Sequence, residues 1–286
     1  MANTLAAGLV PDVAAETAIT VLQDKLASLE CYTSDFSSDL VDPTRPVNIP
    51  IATSTSAVQT NPTSFETGDT TVADASIAPV HYSKSFHLSQ AELNSGHKLA
   101  HQLKINLHTL ANALQDDVMG NVTAANFANS PVVAATASDF DTDDLKALWA
   151  GISNGSEKNA VLDGAYYSQI LPISRESFQG QGSSFDGAYG FDKIRYSNRF
   201  DGAESGVVGF SVDPQALAVG GRIPATSAAL ANLMVNQQII EIPGLGLSVQ
   251  FNMWASTATR SLWASYDLCF GSVVTDGSAL TRLVTS

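Results

Sequence analysis

The chain has 286 residues, and its 28 acidic and 14 basic side chains give it a formal net charge of −14. This charge argues against a nucleic-acid reader, because binding phosphate requires clusters of lysine and arginine, and the sequence contains none. No apolar run reaches the ~18 residues that cross a bilayer, and residues 1–5 lack the basic region of a secretory signal. Cys31 and Cys269 are far apart, which predicts two buried, reduced thiols.

An amphipathic helix is predicted over residues 11–30. Pro11 and Asp12 are typical of a helix start. Apolar residues follow at helical spacing, at Ala15, Ile19, Leu22, Leu26 and Leu29. Such a helix must bury its apolar face, either in its own domain or on a neighbouring subunit. We expect a neighbouring subunit to cover it, with Leu22 and Leu26 as inter-subunit contacts.

Residues 41–88 are predicted to form an extended loop of two strands. Two stretches alternate apolar with polar or proline residues, one on each side of a polar segment at residues 53–71. Phe65 is the only large apolar side chain of that segment. Because an isolated hairpin is marginally stable in water, we expect another subunit to order its tip, through Phe65, Glu66 and Asp69. A partly disordered insertion is the alternative.

A long helix is predicted over about residues 89–123. Ser89 and Glu92 form a capping box at its start, and Gly120 and Asn121 are typical stop residues. Apolar residues recur between these points at three-, four- and seven-residue steps, at Leu93, Ala100, Leu103, Leu107, Leu110, Leu114 and Val118. About 30 residues at 1.5 Å each span roughly 45 Å, so we expect this helix to act as the spine of the fold.

Residues 131–235 are predicted to form a mixed α/β domain. Its predicted strands cover residues 131–136, 159–162, 193–196 and 206–212. Its predicted helices follow three aspartates in capping positions, Asp141, Asp163 and Asp213, and a fourth covers residues 225–234. The helix after Asp141 is expected to bury Leu145, Leu148, Trp149 and Ile152.

The last 42 or so residues carry the clearest strand pattern. Apolar residues alternate with small or polar ones at Leu245, Leu247, Val249, Phe251 and Met253, and again at Leu262, Ala264, Tyr266, Leu268 and Phe270. Asp276 and Gly277 predict a tight turn into a final strand. We expect an antiparallel meander whose apolar face is covered by the long helix, so residues 89–130 and 236–286 are assigned to one peripheral domain.

The search for catalytic or metal-binding residues finds no convincing site. His97, His101 and His108 fall within about 40° of one another on the long helix, but the glutamate of a zinc helix is missing. Three alternate aspartates imitate the start of a calcium loop, Asp139, Asp141 and Asp143. The position that needs glycine holds Asp144, so helix capping explains these carboxylates better. We therefore expect no catalytic, cofactor-binding or metal-binding residues.

The order of the parts resembles that of tailed-phage major capsid proteins with the Johnson (HK-ninety-seven) fold, which encapsulin shells share. Short stretches are similar as well. Asn3-Thr4-Leu5 with Leu9-Val10-Pro11 resembles the opening of such coat proteins. The strand-and-helix that closes their axial domain resembles Val207-Val208-Gly209-Phe210 with Pro214-Gln215-Ala216-Leu217-Ala218-Val219. Their C-terminal end resembles Leu268-Cys269-Phe270-Gly271 followed by Ala279-Leu280-Thr281-Arg282-Leu283.

The resemblance implies an α+β capsid fold: an N-terminal arm and helix at residues 1–40, an extended loop at 41–88, and a spine helix on an antiparallel sheet. Residues 131–235 correspond to the axial domain. It further implies a structural, non-enzymatic shell subunit that forms pentamers and hexamers around double-stranded DNA, with no cofactor, no specific nucleic-acid binding and no membrane. A separate scaffolding protein, a portal and possibly a decoration protein are the implied partners, and assembly is expected in the bacterial host cytoplasm. The alternatives are an encapsulin-like compartment, a metal-dependent hydrolase using the helical histidines, and a phage tail or fibre protein.

Overall fold

A computed structural model describes residues 9–41, 46–54, 60–61, 63, 70–89, 96–152, 157–171, 188–227, 231–256 and 261–285. Helices α1 to α4 cover Leu9–Lys25, Gly96–Met119, Thr142–Gly151 and Gly164–Ile170, and short 3-10 helices cover Ala27–Cys31, Ala188–Gly190 and Gly277–Ala279. Strands β1 to β7 cover Thr33–Val41, Val47–Ser54, Thr70–Ile77, Val80–Leu88, Val132–Val133, Asn159–Asp163 and Lys193–Ser197. Strands β8 to β13 cover Val207–Val212, Leu217–Pro224, Asn236–Glu241, Ser248–Ser256, Ser261–Val274 and Leu280–Val284.

The larger sheet is built around β12, a strand of 14 residues. The first half of β12 pairs antiparallel with β11 and β4, and its second half with β9; β10 and β1 complete the two ends. The predicted alternation is confirmed on the core side, where Tyr266, Leu268 and Phe270 have no exposed surface. The opposite side of the same strand carries polar residues, because successive side chains of a strand point to opposite faces. We call that side the outer face.

The spine helix α2 lies against the core side of this sheet and contributes the stripe from Leu103 to Val118 to the largest hydrophobic cluster. Of the other two predicted stripe residues, Ala100 is half-buried and Leu93 lies outside the described residues. Leu103, Leu107 and Leu114 are completely buried. The helix ends at Met119, immediately before the predicted stop at Gly120, so its predicted extension to residue 123 is wrong. The predicted capping box lies outside the described residues. Among the helices that the structure describes, none is long and apolar enough to cross a membrane.

A smaller sheet has the strand order β5-β13-β8-β6-β7 and is covered by α3 and α4. The helix starts predicted at Asp141 and Asp163 are confirmed. The Asp141 carboxylate accepts hydrogen bonds from two backbone N–H groups of α3, and the Asp163 carboxylate accepts one from α4. The prediction that Trp149 is buried is wrong, because 41% of the residue is exposed. Its ring lies under the Lys158 ammonium, and its indole N–H donates to a backbone carbonyl.

Two strands depart from the expected layout. The helix predicted after Asp213 is wrong, because Leu217–Pro224 forms β9 in the larger sheet. The last strand, β13, leaves the C-terminal meander and pairs with β8 and β5 in the smaller sheet. The larger sheet therefore includes β9, which precedes residue 235, and the smaller sheet includes β13, which follows it, so the two sheets are not separated by the predicted boundary at residue 235. The helix predicted over residues 225–234 lies partly outside the described residues.

The N-terminal helix is an integral part of the subunit core. Leu22 and Leu26 on and after α1 are fully buried in the same cluster as the α2 stripe. The Gln115 side chain of α2 donates to the Lys25 carbonyl, and the Tyr266 hydroxyl donates to the Ala14 carbonyl at 3.3 Å. The prediction of Leu22 and Leu26 as inter-subunit contacts is therefore wrong, because the chain buries both side chains itself.

Candidate assembly surfaces

The extended hairpin, defined as β2 and β3, is the first candidate surface. Its two strands pair with each other from Val47 opposite Ile77 to Ser54 opposite Thr70. Within the described part of the chain, neither strand pairs with any other. Both outer edges of the hairpin therefore present backbone N–H and C=O groups that a neighbouring chain can use.

The root of the hairpin is fixed to the larger sheet by close packing. Val47 and Ile77 form a small buried cluster with Ala218 of β9. Two glycines make this approach possible: a Cβ atom on Gly271 would lie 2.7 Å from Ile77 Cγ2, and one on Gly220 would lie 3.2 Å from Ile77 Cδ1. The sheet thus holds the root in one place and sets the direction in which the hairpin leaves the subunit.

The residues predicted to make contacts at the hairpin tip, Phe65, Glu66 and Asp69, lie outside the described residues. The structure brings the two strands together as predicted, with 15 residues between Ser54 and Thr70. The assignment of those three side chains to an inter-subunit contact stays a prediction.

A second candidate surface is an apolar edge beside the outer face. Three large hydrophobic side chains are exposed near the start of β10: Leu233 by 70%, Val235 by 60% and Ile239 by 41%. Scattered exposed hydrophobic residues are ordinary on a monomer, but a group of them beside a cavity is typical of an interaction site. This surface is not predicted from the sequence, because Leu233 falls at the end of the helix expected over residues 225–234 and no element is predicted over Val235 and Ile239.

The structure describes the side chains of two of the three spine histidines, His101 and His108. His101 is exposed beside Lys104, and the side chain of His97 lies outside the described part of the structure. Burial and the nearby Lys25 and Lys104 ammonium groups lower the pKa of His108. Within the described residues, no group of three or more histidine, cysteine, aspartate or glutamate side chains is placed to hold a metal ion.

Ion pairs join distant parts of the chain into one subunit. Arg199, in the loop after β7, forms two hydrogen bonds with Asp116 of the spine helix, at 2.9 and 3.0 Å. Three further arginine–carboxylate pairs connect other segments: Arg195 with Glu30, Arg222 with Asp35 and Arg282 with Glu204. Planar guanidinium–carboxylate pairs fix orientation as well as distance, so these contacts favour a rigid building block.

A polar network fastens the spine helix to the sheet. The Tyr82 hydroxyl of β4 donates to Asp117 of α2 at 3.1 Å, and the Ser272 hydroxyl of β12 donates to the other oxygen of that carboxylate at 2.7 Å. Burial and the negative charges of Asp117 and Asp116 raise the pKa of Tyr82 to about 12. The folded subunit therefore favours the neutral phenol.

The raised pKa of Tyr82 predicts a specific loss of stability in alkali. Since an unfolded tyrosine titrates near 10, the stabilisation is complete below about pH 10 and is lost as the pH rises towards 12. We expect the melting temperature of Tyr82→Phe to fall less between pH 9.5 and 11.5 than that of the parent. Tyr196→Phe, which removes an exposed phenol, serves as the control and should follow the parent. If the melting temperatures of all three proteins fell equally with pH, the result would contradict the proposed contribution of Tyr82 to stability.

No protein-family profile and no curated protein matches the sequence. The fold, in contrast, matches 162 solved chains. One is the capsid of cyanophage P-SCSP1u, with a TM-score of 0.52 and 13% identity over 90% of this chain and 86% of that one. Another is a virus-like particle from Pyrococcus furiosus, with a TM-score of 0.54 and 9% identity over 95% and 98% of the two chains. A structure from Gordonia phage Cozz has a TM-score of 0.51 and 15% identity over 92% and 87%.

These matches identify the class of fold. The mixed α+β chain, with its extended hairpin and a spine helix on an antiparallel sheet, has the HK-ninety-seven-type capsid fold. The predicted resemblance is thus confirmed at the level of fold. At 9 to 15% identity the matches carry the architecture and not individual residue roles.

Proposed function

We propose that the chain is the major capsid protein of a tailed phage and that its copies assemble into the icosahedral shell that encloses double-stranded DNA. The observation that carries this proposal is the extended hairpin, whose root is packed into the sheet while neither of its strands pairs with any other strand that the structure describes. The agreement of nearly the whole chain with shell-forming structures supports the same conclusion. Pentamers and hexamers of this subunit form the shell.

The role is structural, with no catalytic step. The net charge of −14 suits a shell that contains DNA, because repulsion keeps the packaged phosphates from adhering to the wall. A separate scaffolding protein and a portal take part in assembly in the bacterial cytoplasm, and a decoration protein can bind afterwards. The mature location is the virion capsid.

Expression of the chain, alone and with a scaffolding protein from the same genome, tests the proposal. Sedimentation and negative-stain electron microscopy should show closed or irregular shells of regular wall thickness. A protein that remains monomeric under every condition, with the scaffold included, would overturn the assignment.

A compartment shell that encloses protein cargo is the second candidate. The fold is compatible with it, because encapsulin shells share the capsid fold that this chain resembles, and the chain matches a virus-like particle from Pyrococcus furiosus over 95% of its length and 98% of that chain. The contents of particles purified from the native source distinguish the two functions. We expect the particles to contain double-stranded DNA that is protected from nuclease. Particles that contain one co-purified protein and no DNA would favour the compartment function.

A further inference from the structure

The outer face of the larger sheet contains a cavity of about 390 Å³ that the proposed function leaves unexplained. Its floor is formed by polar side chains of β11 and β12, including Gln250, Asn252 and Asp267. Its rim is apolar and includes Leu233 and Trp254. This volume lies within the range of ligand-binding pockets.

The floor of the cavity has an excess of hydrogen-bond acceptors. The Asp267 residue is only 6% exposed, and its carboxylate accepts hydrogen bonds from the Asn252 amide at 2.8 Å and from the Ser265 hydroxyl. Asn252 donates an N–H in this bond, and its buried carbonyl oxygen has no hydrogen-bond partner among the described residues. Gln250 donates to Thr226 at 3.1 Å, and its buried carbonyl oxygen likewise has no partner in the described part of the chain.

Asp267 lacks a strong counter-charge. Of the basic side chains that the structure describes, His81 is the one within ion-pair distance, at 3.4 Å, and its side chain is 43% exposed. A buried carboxylate is costly without a cationic partner. This cost falls when a donor with a positive charge enters the cavity and reaches Asp267.

We infer that the cavity receives an arginine or lysine side chain from a second copy of this chain. A guanidinium supplies five donors and no acceptor, which complements the Asp267 carboxylate in the lining of the cavity. The aliphatic stem of such a side chain packs against the apolar rim, where Leu233 is 70% exposed. A metal ion fits less well, because the site has a single carboxylate and an apolar entrance. The inference rests on the proposed shell function and locates one of its inter-subunit contacts.

Asp267→Asn tests the inference, because it removes the charge and keeps the size of the side chain. The variant should melt at the parent temperature or above it, since it relieves a buried charge. Its yield of shells at a fixed subunit concentration should fall at least tenfold. Leu233→Lys places a like charge at the rim, at a residue that is 70% exposed, so it should leave the melting temperature near that of the parent and lower the yield in the same way. Glu241→Gln, which neutralises an exposed carboxylate on the same face, is the matched control and should assemble like the parent.

A cryo-electron microscopy map of the parent shell supplies the direct observation. We expect density for a basic side chain of an adjacent subunit within hydrogen-bond distance of Asp267. An empty cavity, a cavity occupied by a different molecule, or full assembly of both variants would overturn the inference and leave the shell function intact. A parent protein that never forms shells would overturn both.

Discussion

Replacing residues 55–69 with a short Gly-Ser link is expected to abolish shell formation while leaving the subunit folded. The two strands that flank this segment remain, and their root stays packed against Ala218 through Val47 and Ile77. Loop length enters the free energy of folding only logarithmically, so the change should be below about 1 kcal/mol, or about 2–4 °C in melting temperature. Circular dichroism measures folding, and sedimentation measures assembly.

A second variant separates the effect of length from that of the side chains. It keeps 15 residues between Ser54 and Thr70 but replaces all of them with Gly and Ser. If Phe65, Glu66 and Asp69 make the contact, this variant also fails to assemble. If it assembles normally, the reach of the hairpin matters and those three side chains do not. A large fall in melting temperature for either variant would show that the tip belongs to the subunit core.

Hydrophobic periodicity made much of the fold predictable. The spine stripe and the alternation along β11 and β12 are long and regular, and each fixes both the type of element and the face that it buries. The capping aspartates of α3 and α4 were also predicted correctly, because their hydrogen bonds are local and connect residues two or three positions apart. These signals do not depend on the rest of the chain.

The strand β9 shows where such signals fail. Seven of its eight residues are buried, so both faces are apolar and the alternation that would indicate a strand is absent. Asp213 does accept a hydrogen bond from the Gln215 backbone N–H at 2.8 Å, as a helix cap would, but a strand follows. The hydrogen bond of a helix cap is therefore present, but pairing with β12 and β1 makes the residues that follow it a strand.

The sequence also does not show which element an apolar face packs against. The helical spacing before Lys25 predicts α1, but the contact of α1 with α2 joins residues that are about 90 positions apart in the chain. The candidate surfaces follow the same rule. The acceptor-rich cavity is formed when β4, β11 and β12 place His81, Asn252 and Asp267 side by side, and no motif connects these three residues.

Leu107→Asp is expected to unfold the subunit before assembly can be measured. Leu107 has no exposed surface and lies in the cluster where α2 meets the larger sheet. The substitution removes a packed side chain and introduces a charge without a partner, so the free energy of unfolding should fall by at least ~4 kcal/mol. Because small domains are stable by only about 5–15 kcal/mol, much of the protein should be unfolded or aggregated at 37 °C.

Ile105→Asp is the matched control for this change. It places the same charge on the same helix two residues earlier, where the side chain is 48% exposed. The effects of the substitution on net charge and on helix propensity are then nearly equal, and burial is the main difference between the two sites. The control should unfold within about 1 kcal/mol of the parent in urea. If both variants melt together, α2 does not bury the predicted stripe; if both melt like the parent, the sheet and the spine helix contribute little to the core. Only a large difference between the two supports a spine whose one face holds the subunit together while the other is open to solvent or to neighbouring subunits.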